Sequence, residues 1–227
     1  MATQADVRNR RFATDATRAT GRGTKLEEAG PARFIAEPAA VGLAGFALTT
    51  MMLSVINVGI VSQAAMPVVL GLALAYGGAM QLLAGMWAFI KNDTFAAVAL
   101  SSYGAFWISF YLLEKIFLPQ IPAATQAAAL ALYLFSWCVF SFYMWLGSFR
   151  VSAAVQFVFL TLWPTYFFLG LGKAIGSTTV FEIGGGFGMA TALAAWYTSA
   201  GLVLNKTFRR DILPMGELRA AQQDVAA

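Results

Sequence analysis

Between Pro38 and Asn205 the chain carries only seven charged residues, Lys91, Asp93, Glu114, Lys115, Arg150, Lys173 and Glu182. Their spacing cuts the stretch into apolar pieces of bilayer length. A hydrocarbon core about 30 Å thick needs about 20 apolar residues of helix to cross it, and only helices or closed barrels satisfy every backbone N–H and C=O there. With 59% hydrophobic and 11% charged residues, the composition lies far from that of a soluble domain. The fold class expected is all-α, a polytopic membrane protein with six transmembrane helices per protomer.

The uncharged run from Pro38 to Ile90 is too long for one span, and Ser62 to Pro67 is the natural hairpin turn. Spans are therefore expected over residues 38–61, 67–90, 94–113, 125–148, 151–172 and 183–205. The flanks separate as a cytoplasmic tail over residues 1–36, a transmembrane domain over 37–206, and a C-terminal cytoplasmic tail over 207–227. The first tail mixes seven Arg and Lys with Asp6, Asp15, Glu27 and Glu28 and has few large apolar side chains, the composition of a disordered segment. It holds no apolar signal core, so the first span is expected to act as its own insertion signal.

Orientation follows from the basic residues, because Lys and Arg resist translocation. With both termini cytoplasmic, thirteen of the fifteen Lys and Arg fall on that side, leaving Lys115 and Lys173 opposite. The basic excess thus marks topology in a cell membrane, with the lipid bilayer as partner and no nucleic acid.

Candidate functional groups are uncharged. Asn57, Gln81 and Gln156 place amides in three predicted spans, joined by Thr49, Thr50, Ser54, Ser101, Ser102, Tyr103 and Thr161. An amide in hydrocarbon is costly without partners, so it faces another helix or a wet cavity. Thr49, Thr50, Asn57, Gln81 and Gln156 are the candidate substrate hydrogen-bonding residues. No ionisable side chain falls near the middle of a span, so any proton coupling is expected to travel with the substrate. The chain has no His and one cysteine, Cys138, which leaves no His/Cys metal site, no His-based nucleophile pair and no HExxH motif. Neither catalysis nor a cofactor is expected. Gly172 with Gly176, Gly184 with Gly188, and Gly77, Gly78 and Gly85 read as close-packing positions. Pro164 is expected to kink the fifth span and free a carbonyl toward a cavity. The aromatic cluster Trp137, Phe140, Phe142, Tyr143 and Trp145 reads as lipid-facing.

The segment EPAAVGLAGFALTTMMLSVINVG, Glu37 to Gly59, resembles the opening signature of the acetate uptake transporter family. YGGAMQLLAG from Tyr76, NDTFAAVALSSYGAFW from Asn92, QFVFL from Gln156 and DILPMG from Asp211 to Gly216 resemble family segments in the same order. The resemblance implies a hexamer of six-helix protomers, each with its own path for acetate and related short carboxylates, succinate included, moving with a proton or through a channel. It also implies a hydrophobic constriction at Phe46, Tyr103 and Leu162. The alternatives are a path for another small solute, such as ammonia or a different metabolic acid, and a membrane sensor or assembly protein that transports nothing. The chain departs from the family pattern at Glu37, where the family carries Asn, at Ala40, where it carries a second Pro, and at Ile56, where some members are polar. Glu37 is expected to be stabilised at a helix N-terminus and to repel anions at the cytoplasmic mouth.

Overall fold

The computed structural model describes residues 35–216. The expected 1–36 tail falls almost wholly outside them, as does the end of the C-terminal tail. Six helices are long and apolar enough to cross a membrane: α1 Pro38–Asn57, α2 Gln63–Ile90, α3 Thr94–Gln120, α4 Ala123–Ser148, α5 Ala153–Ile175 and α6 Thr178–Phe208. No strand occurs among the described residues. An even number of spans brings both ends of the bundle to one face, called the terminal side here, with the far side opposite. The odd helices run from terminal to far side and the even helices return.

Local chemistry sets the boundaries. Glu37, Asp93 and Ser152 cap α1, α3 and α5, each accepting a hydrogen bond from a first-turn N–H: Ala39 at 3.3 Å, Ala96 at 2.9 Å and Val155 at 3.2 Å. Pro38 sits in the first turn of α1, where its missing N–H costs nothing. Gly176 ends α5 in the left-handed conformation that favours glycine, at φ 66°. It is therefore a helix cap, and the expectation that it packs helices together is corrected: a Cβ there would meet nothing within 4 Å.

All six helices differ from their expected extents, α3 and α6 the most. α3 does not stop at Glu114 but continues through a π turn, Leu113–Phe117, and a 3-10 turn, Leu118–Gln120. α6 starts at Thr178, capped by Ser177, and carries Glu182 within it. A further π turn, Ala75–Met80, interrupts α2. α5 runs unbroken through Pro164. The carbonyl four residues earlier belongs to Leu160, which lines neither cavity described below, so the expected cavity role for it is not found.

α6 lies against α1 and α5, α4 against α5, and α2 against α1 and α3. Glycine permits these approaches: a Cβ on Gly104 would stand 2.5 Å from the Leu82 backbone nitrogen, and one on Gly184 2.6 Å from that of Leu169. Without a large hydrophobic driving force in lipid, such contact area holds helices together. α4 is the least buried helix. Its aromatic cluster is divided: Phe142 and Tyr143 are exposed, whereas Trp137 and Phe140 pack on Tyr103 with centroids 6.0 and 5.2 Å away. The lipid-facing reading is corrected for those two.

The C-terminal boundary also moves. Asn205 Oδ1 accepts from Ile212 N and Leu213 N at 2.8 and 2.9 Å, its Nδ2 donates to the Leu213 carbonyl at 2.8 Å, and Tyr197 donates to the Pro214 carbonyl at 2.7 Å. The carbonyls of Gly216 and Met215 accept from Ala153 N and Ala154 N, satisfying donors that a helix start leaves without partners. Residues 211–216 are thus a strap bound to the bundle, not part of a free tail.

Candidate functional site

Two cavities enter the bundle from opposite faces. The terminal-side cavity has a volume of about 280 Å³ and is lined at its mouth by the three N-cap residues Glu37, Asp93 and Ser152, with Met215 of the strap beside them. The far-side cavity, about 320 Å³, is lined by Asn57, Glu114 and Lys173 toward its mouth and by Thr50, Ser54 and Trp107 further in.

Phe46 and Leu162 line both cavities, and Tyr103 lines the terminal-side one. All three are at most 3% exposed. The rings of Phe46 and Tyr103 lie 5.6 Å apart at 55°. Tyr103 is held from behind by a 2.8 Å hydrogen bond between its hydroxyl and Ser141 Oγ on α4. A single layer of apolar side chains, contributed by α1, α3 and α5, therefore separates the two cavities.

The hydrogen-bonding candidates divide. Thr50 and Asn57 line the far-side cavity and Gln81 the terminal-side one. The Thr50 hydroxyl and the Gln81 carbonyl oxygen are buried with no hydrogen-bond partner. A buried polar atom without a partner costs about 1–3 kcal/mol, and a polar solute in the cavity would offset that cost. Thr49 and Gln156 line neither cavity. Thr49 donates to the Gly45 carbonyl at 2.9 Å and packs against Gly77 between α1 and α2. Gln156 is half-buried. Both leave the candidate set.

The structure adds Trp107, whose indole N–H lacks a partner in the far-side cavity, and Thr165, which lines the same cavity and is followed by a hydroxyl chain through Thr191 to Thr161. Nothing in the sequence distinguishes Trp107 from the other tryptophans. The Glu37 expectation is also corrected. Its carboxylate is paired with Lys91, so its charge is compensated at the terminal-side mouth. Among the described residues no group of three or more His, Cys, Asp or Glu could hold a metal ion.

The sequence matches the model of the GPR1/FUN34/yaaH family over residues 23–216. The chain belongs to this family. Its similarity to other members is substantial: it is 35% identical over 186 residues to the succinate-acetate/proton symporter SatP of Escherichia coli (strain K12), covering 81% of this chain and 96% of that one. It is 36% identical over 199 residues to acetate permease A of Emericella nidulans, covering 81% and 67%. A solved structure of the bacterial acetate channel SatP superposes with a TM-score of 0.75 at 33% identity, covering 80% of this chain and 99% of that one. These family members are carriers or channels by name, and the six-helix architecture agrees with a multi-pass membrane protein.

Proposed function

We propose that this protein passes acetate and related short carboxylates, succinate among them, across the cell membrane through a path in each protomer. The observation that carries this reading is that Phe46 and Leu162 line both cavities, so one apolar layer is all that stands between two vestibules open to opposite faces. Phe46, Tyr103 and Leu162 form the constriction. Thr50 and Asn57 on the far side donate hydrogen bonds to the carboxylate, and on the terminal side the partnerless Gln81 Oε1 accepts one from the protonated acid. The names of the family members similar to this chain support the substrate class.

No side chain of the constriction titrates near neutral pH, and the charged residues of the vestibules lie helical turns away. Proton linkage then arises when the acid crosses the apolar layer with its own proton, at lower desolvation cost than the bare anion. The protomers assemble as a hexamer, and both termini face the cytoplasm, in keeping with the thirteen basic residues expected on that side.

Uptake of labelled acetate into proteoliposomes, with and without an inward proton gradient, tests the reading. Empty liposomes are the control, because acetic acid crosses lipid unaided. Protein-dependent uptake that succinate competes with is expected. Folded protein giving no excess over empty liposomes would remove acetate as substrate.

A further inference from the structure

Each constriction residue has a counterpart eleven residues further along its own helix: Asn57 after Phe46 on α1, Glu114 after Tyr103 on α3, and Lys173 after Leu162 on α5. Eleven residues are close to three turns of 3.6, so each counterpart returns to its partner's face about 16 Å along the axis. Because the odd helices run in one direction, the three counterparts form a second layer toward the far-side mouth, and all three line that vestibule.

Among the described residues, Lys173 is the one basic residue lining either vestibule. Its ammonium lies 4.6 Å from the centroid of the Phe181 ring, a face that attracts a cation but cannot neutralise it. The ion pair found among the described residues is Lys91 with Glu37. Glu114 and Lys173 thus share the far vestibule without closing on each other. The odd helices end at this mouth and the even helices begin there, with Gln63, Gln126 and Phe181 of their first turns lining the vestibule, so the helix dipoles largely offset one another. Deeper in the same cavity, Thr50 Oγ1 and Trp107 Nε1 are buried hydrogen-bonding atoms with no partner; the two residues are 6% and 2% exposed.

We infer that Lys173 is a recruitment site for carboxylates at the far-side vestibule, opposed by Glu114, and that the Thr50 hydroxyl and Trp107 indole N–H receive the carboxylate next. The inference rests on the transport reading and extends it to a site on α5 outside the constriction. Lys173 supplies a localised positive charge at this mouth, and Glu114 keeps it from becoming a trap. Because Glu114 acts through charge, its opposition is greater for a dianion than for a monoanion.

The test measures half-saturation for labelled acetate and succinate arriving from the far side, with full-length protein in vesicles of known orientation. Lys173→Gln is expected to raise half-saturation by about fivefold, the scale of one partly exposed charge pair, and Lys173→Arg to stay near wild type. Glu114→Gln is expected to lower it, more for succinate than for acetate. A second readout needs no flux: succinate should raise the melting temperature of purified wild-type protein, and Lys173→Gln should lose most of that rise. Lys173→Gln with wild-type half-saturation, or with the full succinate-induced rise in melting temperature, overturns the inference. Wild-type protein that moves no acetate refutes the transport reading separately, and the succinate melting shift then still decides whether Lys173 binds carboxylate.

Discussion

The two vestibules are built from opposite ends of the same three helices, and they use their charges differently. At the terminal side, the starts of α1, α3 and α5 converge, and each cap residue bonds its own helix. Glu37 is further paired with Lys91, and the 211–216 strap closes over the start of α5. At the far side the helices end, and Glu114 and Lys173 line the cavity without forming an ion pair with each other. Charge is committed to caps and an ion pair at one mouth and, among the described residues, stands without an ion pair at the other.

The sharpest way to break this contrast is to remove the layer that keeps the vestibules apart. Leu162→Ala should merge them. Larger monocarboxylates should then pass about tenfold faster relative to acetate, a discrimination of about 1.4 kcal/mol, measured by competitive uptake. The same change should cost about 2 kcal/mol or more of stability through the cavity it leaves.

Next in size is the strap. Asn205→Ala removes three hydrogen bonds, two accepted by its Oδ1 and one donated by its Nδ2, at a cost of about 1–3 kcal/mol. Hydrogen exchange should quicken at Ala153 and Ala154 and stay unchanged around Asn57, confining the loss to the terminal side. Equal loosening at both mouths would contradict the division between them.

Ser141→Ala leaves the Tyr103 hydroxyl without its partner, so about 1 kcal/mol should be lost. The Phe46 and Tyr103 pairing should relax, read as weaker discrimination between acetate and longer acids. The smallest effect belongs to Glu37→Gln. Glu37 and Lys91 are about a quarter exposed (29% and 23%), and such pairs contribute less than about 1 kcal/mol. The melting temperature should fall by no more than about 4 °C. Acetate uptake from the terminal side should rise as Lys91 loses its partner, with little change from the far side.

Much of the architecture was legible because charge is scarce: Lys91, Asp93 and Arg150 mark turns, and the caps Asp93 and Ser152 stand where helices begin. Glu114 and Glu182 misled for a physical reason. A carboxylate ends a lipid-facing span, but these side chains lie on helices that continue, and Glu114 has a cavity to face. The site was harder to read. Thr49 and Thr50 are adjacent on a helix that is apolar nearly all round, so periodicity cannot say which meets the path, and only packing against Gly77 removes Thr49. Phe46 and Leu162 are indistinguishable from packing residues by composition; the ordered family motifs point to them, and the cavities then meet at those side chains. Lys173 was visible only as a topological marker until the eleven-residue register placed it beside Asn57 and Glu114.

The most direct test of the central claim places a thiol in the separating layer. In a Cys138→Ser background, Leu162→Cys is reconstituted and treated with a small membrane-impermeant thiol reagent from either side, with Gln156→Cys, which lines neither cavity, as control. Modification of Leu162→Cys is expected from both sides, and it should abolish acetate flux while the control retains it. Full modification of Leu162→Cys with acetate flux unchanged would show that the substrate does not pass between the two vestibules.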